Sequence, residues 1–508
     1  MAKFLVIVHG RNRIMYASAR HVEASPNAAS VALTGFRLSY MQSPWWCMVR
    51  LAVSVSIPNI VTSHPWWIIA ILPRSLQSLV VQALVMLRHA KLVYVCALMT
   101  CIGLVLLIDT ISARDPTSIF FDPRKGYQPR YSELRRKQAT EYIAAHNTTE
   151  LSGHPRVVNP KKKLCVGVPS MGRRGAQYIP DAIGSLLEGL TVDERSDFLL
   201  MVFIPHTDPT THPSYGEAWL HDLTDHVLIY DLDESDKDDL RVMEEEGGAF
   251  LTKGLYDYTY LLSKCIDQDT PYIAILEDDT IAMDGWFHRT VAAIREAERQ
   301  TELRCDNCQF LYLRLFYTET LMGWNSEEWA IYLYWSLIAA GALAVFILVL
   351  HKIKSLSKLC RSLGPQRAIL LAYSGLMVAI LLFFALGRMT VLPIPPGISE
   401  MNKFGCCSQA LVFPRQKALE LVSFFGDRRA GFADVLIEEF AGQRSELRFA
   451  VTPSLVQHVG LESSKRTGDA PVIREGIWNF RFERFDAEQL KTEHEFGTNK
   501  MLRERAIH

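Results

Sequence analysis

The chain has 508 residues, with 54 basic against 55 acidic side chains and 49% hydrophobic content. Balanced charge of this kind gives no support for a nucleic-acid partner, and the length allows about three domains. The apolar residues are spread unevenly, concentrated in a few long runs, which separates this chain from an ordinary soluble globular protein.

Residues 1–90 carry eight Arg/Lys and one acid, Glu23. Their apolar runs, 66–72 and 78–87, are too short to span a bilayer. Lys3–Val8 is too brief for the apolar region of a signal peptide. The expectation is a basic cytosolic tail. Leu92–Ile108 is an apolar run of 17 residues, preceded by Arg88, His89 and Lys91 and followed by Asp109. That length is the short end of a membrane span. The basic flank predicts a signal-anchor helix over 91–109, with the N-terminus cytosolic and the following residues lumenal. Asn147-Thr148-Thr149 is a glycosylation sequon compatible with that side.

Residues 110–328 read as the first part of a lumenal domain. A polar helical pattern over Ser132–His146, with Ser132 as its N-cap, suggests a stem or a first helix. Strands follow at Lys163–Ser170, Asp197–Ile204 and His226–Tyr230, with helices at Tyr178–Leu190 and Phe250–Cys265. This alternation predicts an α/β, largely parallel, Rossmann-like sheet. Thr270-Pro-Tyr-Ile-Ala-Ile-Leu-Glu277-Asp278-Asp279 is an apolar strand that ends in three carboxylates. Ligands of open α/β sheets sit outside the carboxyl ends of the strands. Adjacent carboxylates there repel one another unless a cation lies between them. The bland alternative is a strand ending in a solvated acidic turn.

Trp329–Leu350 and Ala368–Gly387 are charge-free runs of 22 and 20 residues. Between them lie Lys352, Lys354, Lys358, Arg361 and Arg367, with no acid. This predicts a transmembrane hairpin over 329–387 with a cytosolic turn. Residues 388–508 are polar again, with a strand at Gln409–Phe413 and helices at Gln416–Phe425 and Gly431–Phe440. They lack a nucleotide loop of their own and are expected to complete the sheet begun before the hairpin. Six cysteines lie in the polar parts after residue 110: Cys165, Cys265, Cys305, Cys308, Cys406 and Cys407. In an oxidising lumen six allow 15 pairings. Cys305-Asp-Asn-Cys308 could be half of a zinc site, but the chain has no second such pair, so a disulfide is favoured.

Several pieces together resemble the lumenal glycosyltransferases of the GT-A type. They are Val166-Gly-Val-Pro-Ser170, Phe203-Ile-Pro-His-Thr-Asp208, Lys253…Asp257-Tyr258, Leu276-Glu-Asp-Asp279 and Pro453-Ser-Leu-Val-Gln-His458-Val-Gly460…Ser463-Ser464. The last piece looks like that of the branching N-acetylglucosaminyltransferases of N-glycan synthesis. An anchor followed by a transferase domain split by a membrane hairpin, with Glu-Asp-Asp in place of Asp-x-Asp, resembles the Golgi family of GPI N-acetylgalactosaminyltransferases over residues 90–508.

The resemblance implies a GT-A-like fold in a multi-pass Golgi membrane protein with a lumenal catalytic domain. It also implies transfer of N-acetylgalactosamine from UDP-GalNAc to the mannose of GPI-anchored acceptors, inverting at a carboxylate base. A diphosphate leaving group needs charge neutralisation, which Mn²⁺ or Mg²⁺ can supply. Asp279 is the expected direct ligand, Asp278 follows, and His458 could complete the sphere; otherwise His458 is a structural histidine satisfied by backbone. Glu277 is expected behind the ligands or facing ribose. Pro169, Ser170, Arg173, Arg174, Lys253 and Asp257 are assigned to the donor. Asp434 is the candidate base, with Glu438 and Glu439 as substitutes; as a bland alternative it is an acid favoured at a helix N-terminus. From another class, a catalytically inactive lumenal scaffold that binds glycolipid fits the same anchors. A channel does not, since the spans hold no charge to form an ion path.

Overall fold

The computed structural model describes residues 102–147, 161–173, 177–245, 250–352, 364–401, 407–460 and 477–507, with a few isolated positions besides. The expected tail, the start of the expected anchor and most of the turn between the hairpin helices lie outside the described residues.

Ten strands are present among the described residues: β1 Leu164–Pro169, β2 Phe198–Phe203, β3 His226–Leu228, β4 Tyr272–Leu276, β5 Thr280–Ala282, β6 Tyr312–Arg314, β7 Gly397–Glu400, β8 Ala410–Pro414, β9 Arg448–Thr452 and β10 Val456–His458. Eight of them form one sheet in the order β3-β2-β1-β4-β8-β6-β9-β7. β8 and β7 run against the other six, so the sheet is mixed but mostly parallel. β8 follows the hairpin in sequence, yet it lies between β4 and β6, which precede it: Ile275 is opposite Leu411 and Leu313 opposite Val412. β5 and β10 form a separate two-stranded ribbon, with His458 opposite Thr280.

Period-two alternation sorts each strand's side chains onto two faces. Val166, Ala274 and Val412 enter one core with Ile183, Trp286 and Ile294. Cys165, Ile273, Leu411 and Phe413 enter the other with Leu261, Phe425 and Ile437. The first face is covered by α1 Tyr131–His146, α2 Ile179–Leu187 and α4 Trp286–Glu302. The second is covered by α3 Phe250–Ile266, α7 Arg415–Arg428 and α8 Ala433–Arg444. Cys165 and Cys265 join β1 to α3 through a disulfide, and Cys305 is bonded to Cys308.

α1 is no free stem. Arg135 is 2% exposed and donates to the carbonyls of Ala282 and Ser185. α1 and α2 cross so closely that a Cβ at Gly184 would lie 2.5 Å from the Ala139 carbonyl oxygen. Ser132 is not the N-cap. The Glu483 carboxylate, from far along the chain, accepts from the amides of Arg130 and Ser132 and satisfies that helix end instead.

α5 Trp329–Lys352 and α6 Pro365–Ala385 are both long and apolar enough to cross a membrane, and their apolar side chains are not buried by the rest of the protein. Of the expected anchor, the described part forms a helix over Ile102–Ser112 with Leu104, Leu106 and Leu107 exposed. The ends of these elements are tied together. The amide of Ile119 and the hydroxyl of Ser118 donate to the Ala385 carbonyl, and Thr390 donates to Asp115. The Trp324 indole N–H donates to the Phe384 carbonyl. Gly387, at φ +89°, sits where a Cβ would be 2.6 Å from both Asp115 Oδ2 and the Ser118 amide nitrogen, so only glycine fits there.

Candidate functional site

The carboxyl ends of β1, β2 and β4 converge on the acidic turn. β4 ends at Leu276, and in the turn before Thr280 Asp278 faces Arg173 while Glu277 and Asp279 gather with His458. The Asp278 oxygens accept from both terminal nitrogens of Arg173, at 2.7 and 2.8 Å, and one also accepts from Ser170 Oγ at 2.7 Å. Burial pushes the Asp278 pKa up against the pull of Arg173. With its oxygens engaged in this way, Asp278 fixes the loop after β1.

Asp279 faces the β5–β10 ribbon. Its Oδ2 is 3.4 Å from His458 Nε2 and 3.7 Å from the Arg173 guanidinium. Its Oδ1 is buried without a hydrogen-bond partner among the described residues. A buried, unpartnered carboxylate oxygen is costly unless something positive reaches it. Glu277, Asp279 and His458 each offer one ligand atom, all within 4.8 Å of one another. The Asp279 carbonyl accepts from the Val459 amide at 2.8 Å, and a Cβ at Gly460 would fall 2.3 Å from Asp279 Oδ2. Burial opposes charge on both members of the Asp279–His458 pair. Even so, His458 and Arg173 draw the Asp279 pKa down, and Asp279 draws that of His458 up. Two carboxylates and one imidazole suit a hard divalent cation of the Mn²⁺ type, with Mg²⁺ served by the oxygens alone. The residues present therefore fit such an ion, with Glu277 in the position expected of Asp278.

The other expected site residues are distributed as follows. Pro169 ends β1 opposite Phe203. Lys253 is buried, its amine bonded to the Pro205 carbonyl at 2.8 Å, Tyr230 Oη at 2.7 Å and Asp257 at 3.0 Å. Burial pushes Asp257 up to about 6. This network holds the chain beyond β2 in place, and its charges are spent within the protein. Arg174 lies outside the described residues. Asp434 occupies the first turn of α8 and accepts from the amides of Cys407, at 3.1 Å, and Val435. The neighbouring Ser408 hydroxyl donates to Glu277 at 2.7 Å, so one short segment carries Asp434 to the acidic turn. Glu438 is held by Tyr312, Arg314 and Arg448, and Glu439 forms a surface pair with Arg428.

Two residues near the site were given no role from the sequence. His212 Nδ1 accepts from the Ser214 amide, which leaves the ring proton on Nε2, 3.1 Å from Ser170 Oγ. A chain therefore runs from His212 through Ser170 to Asp278. Tyr258, on α3, is buried, and burial pushes its phenol's pKa up, with the charges of Glu277 and Asp434 adding to it. His212 stands in Thr-His-Pro-Ser, a turn-like stretch without periodicity, and only the fold brings it here.

Fold and site define an α/β protein with a mostly parallel sheet, a buried carboxylate–imidazole centre at the sheet's carboxyl edge, and two helices long enough to cross a membrane. A family model described as GPI-N-acetylgalactosamine transferase PGAP4 matches residues 164–457, more than half of the chain, and the chain belongs to that family. Membership makes it a glycosyltransferase acting in GPI-anchor modification.

Proposed function

We propose that the chain moves N-acetylgalactosamine from UDP-GalNAc to a mannose of GPI-anchored acceptors. It does so at the Golgi membrane with a GT-A-like lumenal domain and inversion at the transferred sugar. The observation that carries this reading is the unpartnered Asp279 Oδ1 beside Glu277 and His458, in a chain of this family. A Mn²⁺ or Mg²⁺ ion bound there supplies the positive charge that a departing diphosphate requires. Asp279, Glu277 and His458 hold it. Asp278 anchors Arg173 and Ser170, so the loop after β1 is rigid where the donor must lie. Lys253 and Asp257 are positioning residues in this scheme, acting through the Pro205 carbonyl.

Asp434 is the general base. The acceptor hydroxyl oxygen attacks the anomeric carbon, its proton passes to the Asp434 carboxylate, and the bond to the diphosphate oxygen breaks with UDP leaving. A GPI acceptor is confined to the bilayer by its lipid. A catalytic domain tied to membrane helices at several points shares that confinement, which raises the encounter frequency.

The test uses the full chain in detergent with UDP-GalNAc and a GPI acceptor, with and without Mn²⁺, reading UDP release and acceptor mass. Asp279→Asn keeps the fold and lowers transfer by several orders of magnitude. Asp434→Asn keeps donor and Mn²⁺ binding while transfer fails. Absence of UDP release with every UDP-sugar tried replaces this reading with that of a glycolipid-binding scaffold.

A further inference from the structure

A second cluster of ligating side chains lies on the α4 side of the sheet. Glu194 belongs to the short helix Val192–Ser196, His288 to the first turn of α4, and His494 to α9 Ala487–Ile507. Glu194 is 1% and His494 5% exposed. Their ligand atoms lie within 4.8 Å of one another. His494 Nε2 is 3.0 Å from Glu194 Oε2, and His288 Nδ1 is 3.8 Å from Glu194 Oε1. Ligands held at Zn–N and Zn–O lengths in a tetrahedral arrangement are about 3.3 Å apart, so the two separations bracket the required spacing.

We propose that Glu194, His288 and His494 form a Zn²⁺-type cation site that fastens the C-terminal helix to the sheet domain. Three further observations support it. His288 Nδ1 is buried and has no hydrogen-bond partner among the described residues, though it sits beside a carboxylate. His494 Nδ1 lies 2.5 Å from Asp284 Oδ1. That is the outer carboxylate that metal-bound imidazoles use to fix their tautomer and orientation. The two rings are also pre-placed: they stack at 5.1 Å, and a Cβ at Gly285 or Gly497 would meet the His288 ring at 2.5 or 2.7 Å.

Charge is compatible with this. Glu194 and Asp284 bring two negative charges into a mostly buried place, with Arg135 acting on Asp284 and Arg289 on His288. An imidazolium at His494 alone leaves His288 Nδ1 unused. With two imidazoles and one carboxylate the set is richer in nitrogen than the Glu277–Asp279–His458 centre, which favours zinc here and Mn²⁺ there. The fourth position is left to water. Glu194 and His288 lie inside the family match and His494 beyond it, so the site would clamp a C-terminal element that the match does not cover.

The probe is Zn²⁺ itself, followed by Co²⁺, whose visible bands intensify in tetrahedral coordination. The full chain in detergent is freed of metal with chelator, reloaded and passed through a desalting column. The expected result is retained Zn²⁺ in wild type and in Asp279→Asn, and its loss in His288→Ala. Asp284→Asn should weaken affinity about 10–100-fold. Chelator should lower the melting temperature of wild type but not of His288→Ala. Failure of wild type to retain Zn²⁺, or the same Co²⁺ spectrum in His288→Ala as in wild type, overturns the proposal and leaves an imidazolium clamp. Should His288→Ala misfold, His288→Gln takes its place, and the zinc content of Asp279→Asn, which lacks the other centre, decides regardless.

Discussion

Gly460→Ala tests the acidic centre without removing any of its functional groups. The new Cβ would lie 2.3 Å from Asp279 Oδ2, 2.8 Å from its Cγ and 3.1 Å from its Cβ, where ordinary contact begins at 3.4 Å. One side has to give by about 1 Å. The backbone on both sides is held, by the His458–Thr280 pairing and by the bond from the Val459 amide to the Asp279 carbonyl. The Asp279 side chain is therefore what moves, and its oxygens leave the position shared with Glu277 and His458.

Metal ligands tolerate roughly 0.2 Å of misplacement, and a shift of about 1 Å at a reacting centre costs on the order of 10²-fold in rate, equivalent to about 2.7 kcal/mol. The fold should lose only about 1–3 kcal/mol, the usual cost of one added methyl in a packed place. The assay is kcat/KM for UDP release, with Mn²⁺ affinity from electron paramagnetic resonance and a melting curve on the same sample. Gly442→Ala is the control: nothing lies within 4 Å of its Cβ position in α8, so it should gain up to about 1 kcal/mol in stability. If Gly460→Ala kept kcat/KM within threefold and Mn²⁺ affinity unchanged, the centre would not be arranged around Asp279.

Arg173→Met leaves the buried Asp278 carboxylate without its guanidinium and should cost about 3–5 kcal/mol; adding Asp278→Asn should recover most of that, and simple additivity in the cycle would refute the coupling. His212 is held down to about 4 from 6.5 by burial, with His206 and Arg173 adding repulsion. Its ring is neutral in the folded chain, so its contribution is whole above pH 6.5 and is lost as pH falls toward 4. His212→Asn should flatten that acid limb of the melting temperature against pH by up to one proton, and an unchanged curve would reject the burial argument. The Cys165–Cys265 bond spans a sequence separation of 100, so replacing both cysteines by alanine should cost about 2–5 kcal/mol in a denaturant titration. An unaltered midpoint would mean that the bond contributes nothing.

Much of this protein is written in local pattern. The hairpin helices are visible as uncharged runs, because length and charge are all that spanning a bilayer demands. β1, β2, β4 and β8 are visible as short apolar stretches bounded by turns. The acidic turn declares itself because three adjacent carboxylates need a physical reason. How the three divide was not legible: adjacency suggests Asp278 and Asp279 as the ligand pair, whereas the turn gives Asp278 to Arg173 and groups Glu277 with Asp279 and His458.

Other features belong to tertiary structure alone. β8 crosses the hairpin to lie between β4 and β6, and pairing between distant segments leaves no mark in either one. Lys253 and Glu438 look available in sequence, but the fold surrounds them with partners. Ser132 is the natural cap for α1, yet Glu483 displaces it. His212 and His494 sit in stretches without periodicity and acquire partners only when elements far apart in the chain meet. Local pattern records which face of an element is buried. What that face meets depends on contacts whose partners lie far along the chain, from 42 residues for His212 and Ser170 to 300 for His494 and Glu194, and those are decided only when the sheet assembles.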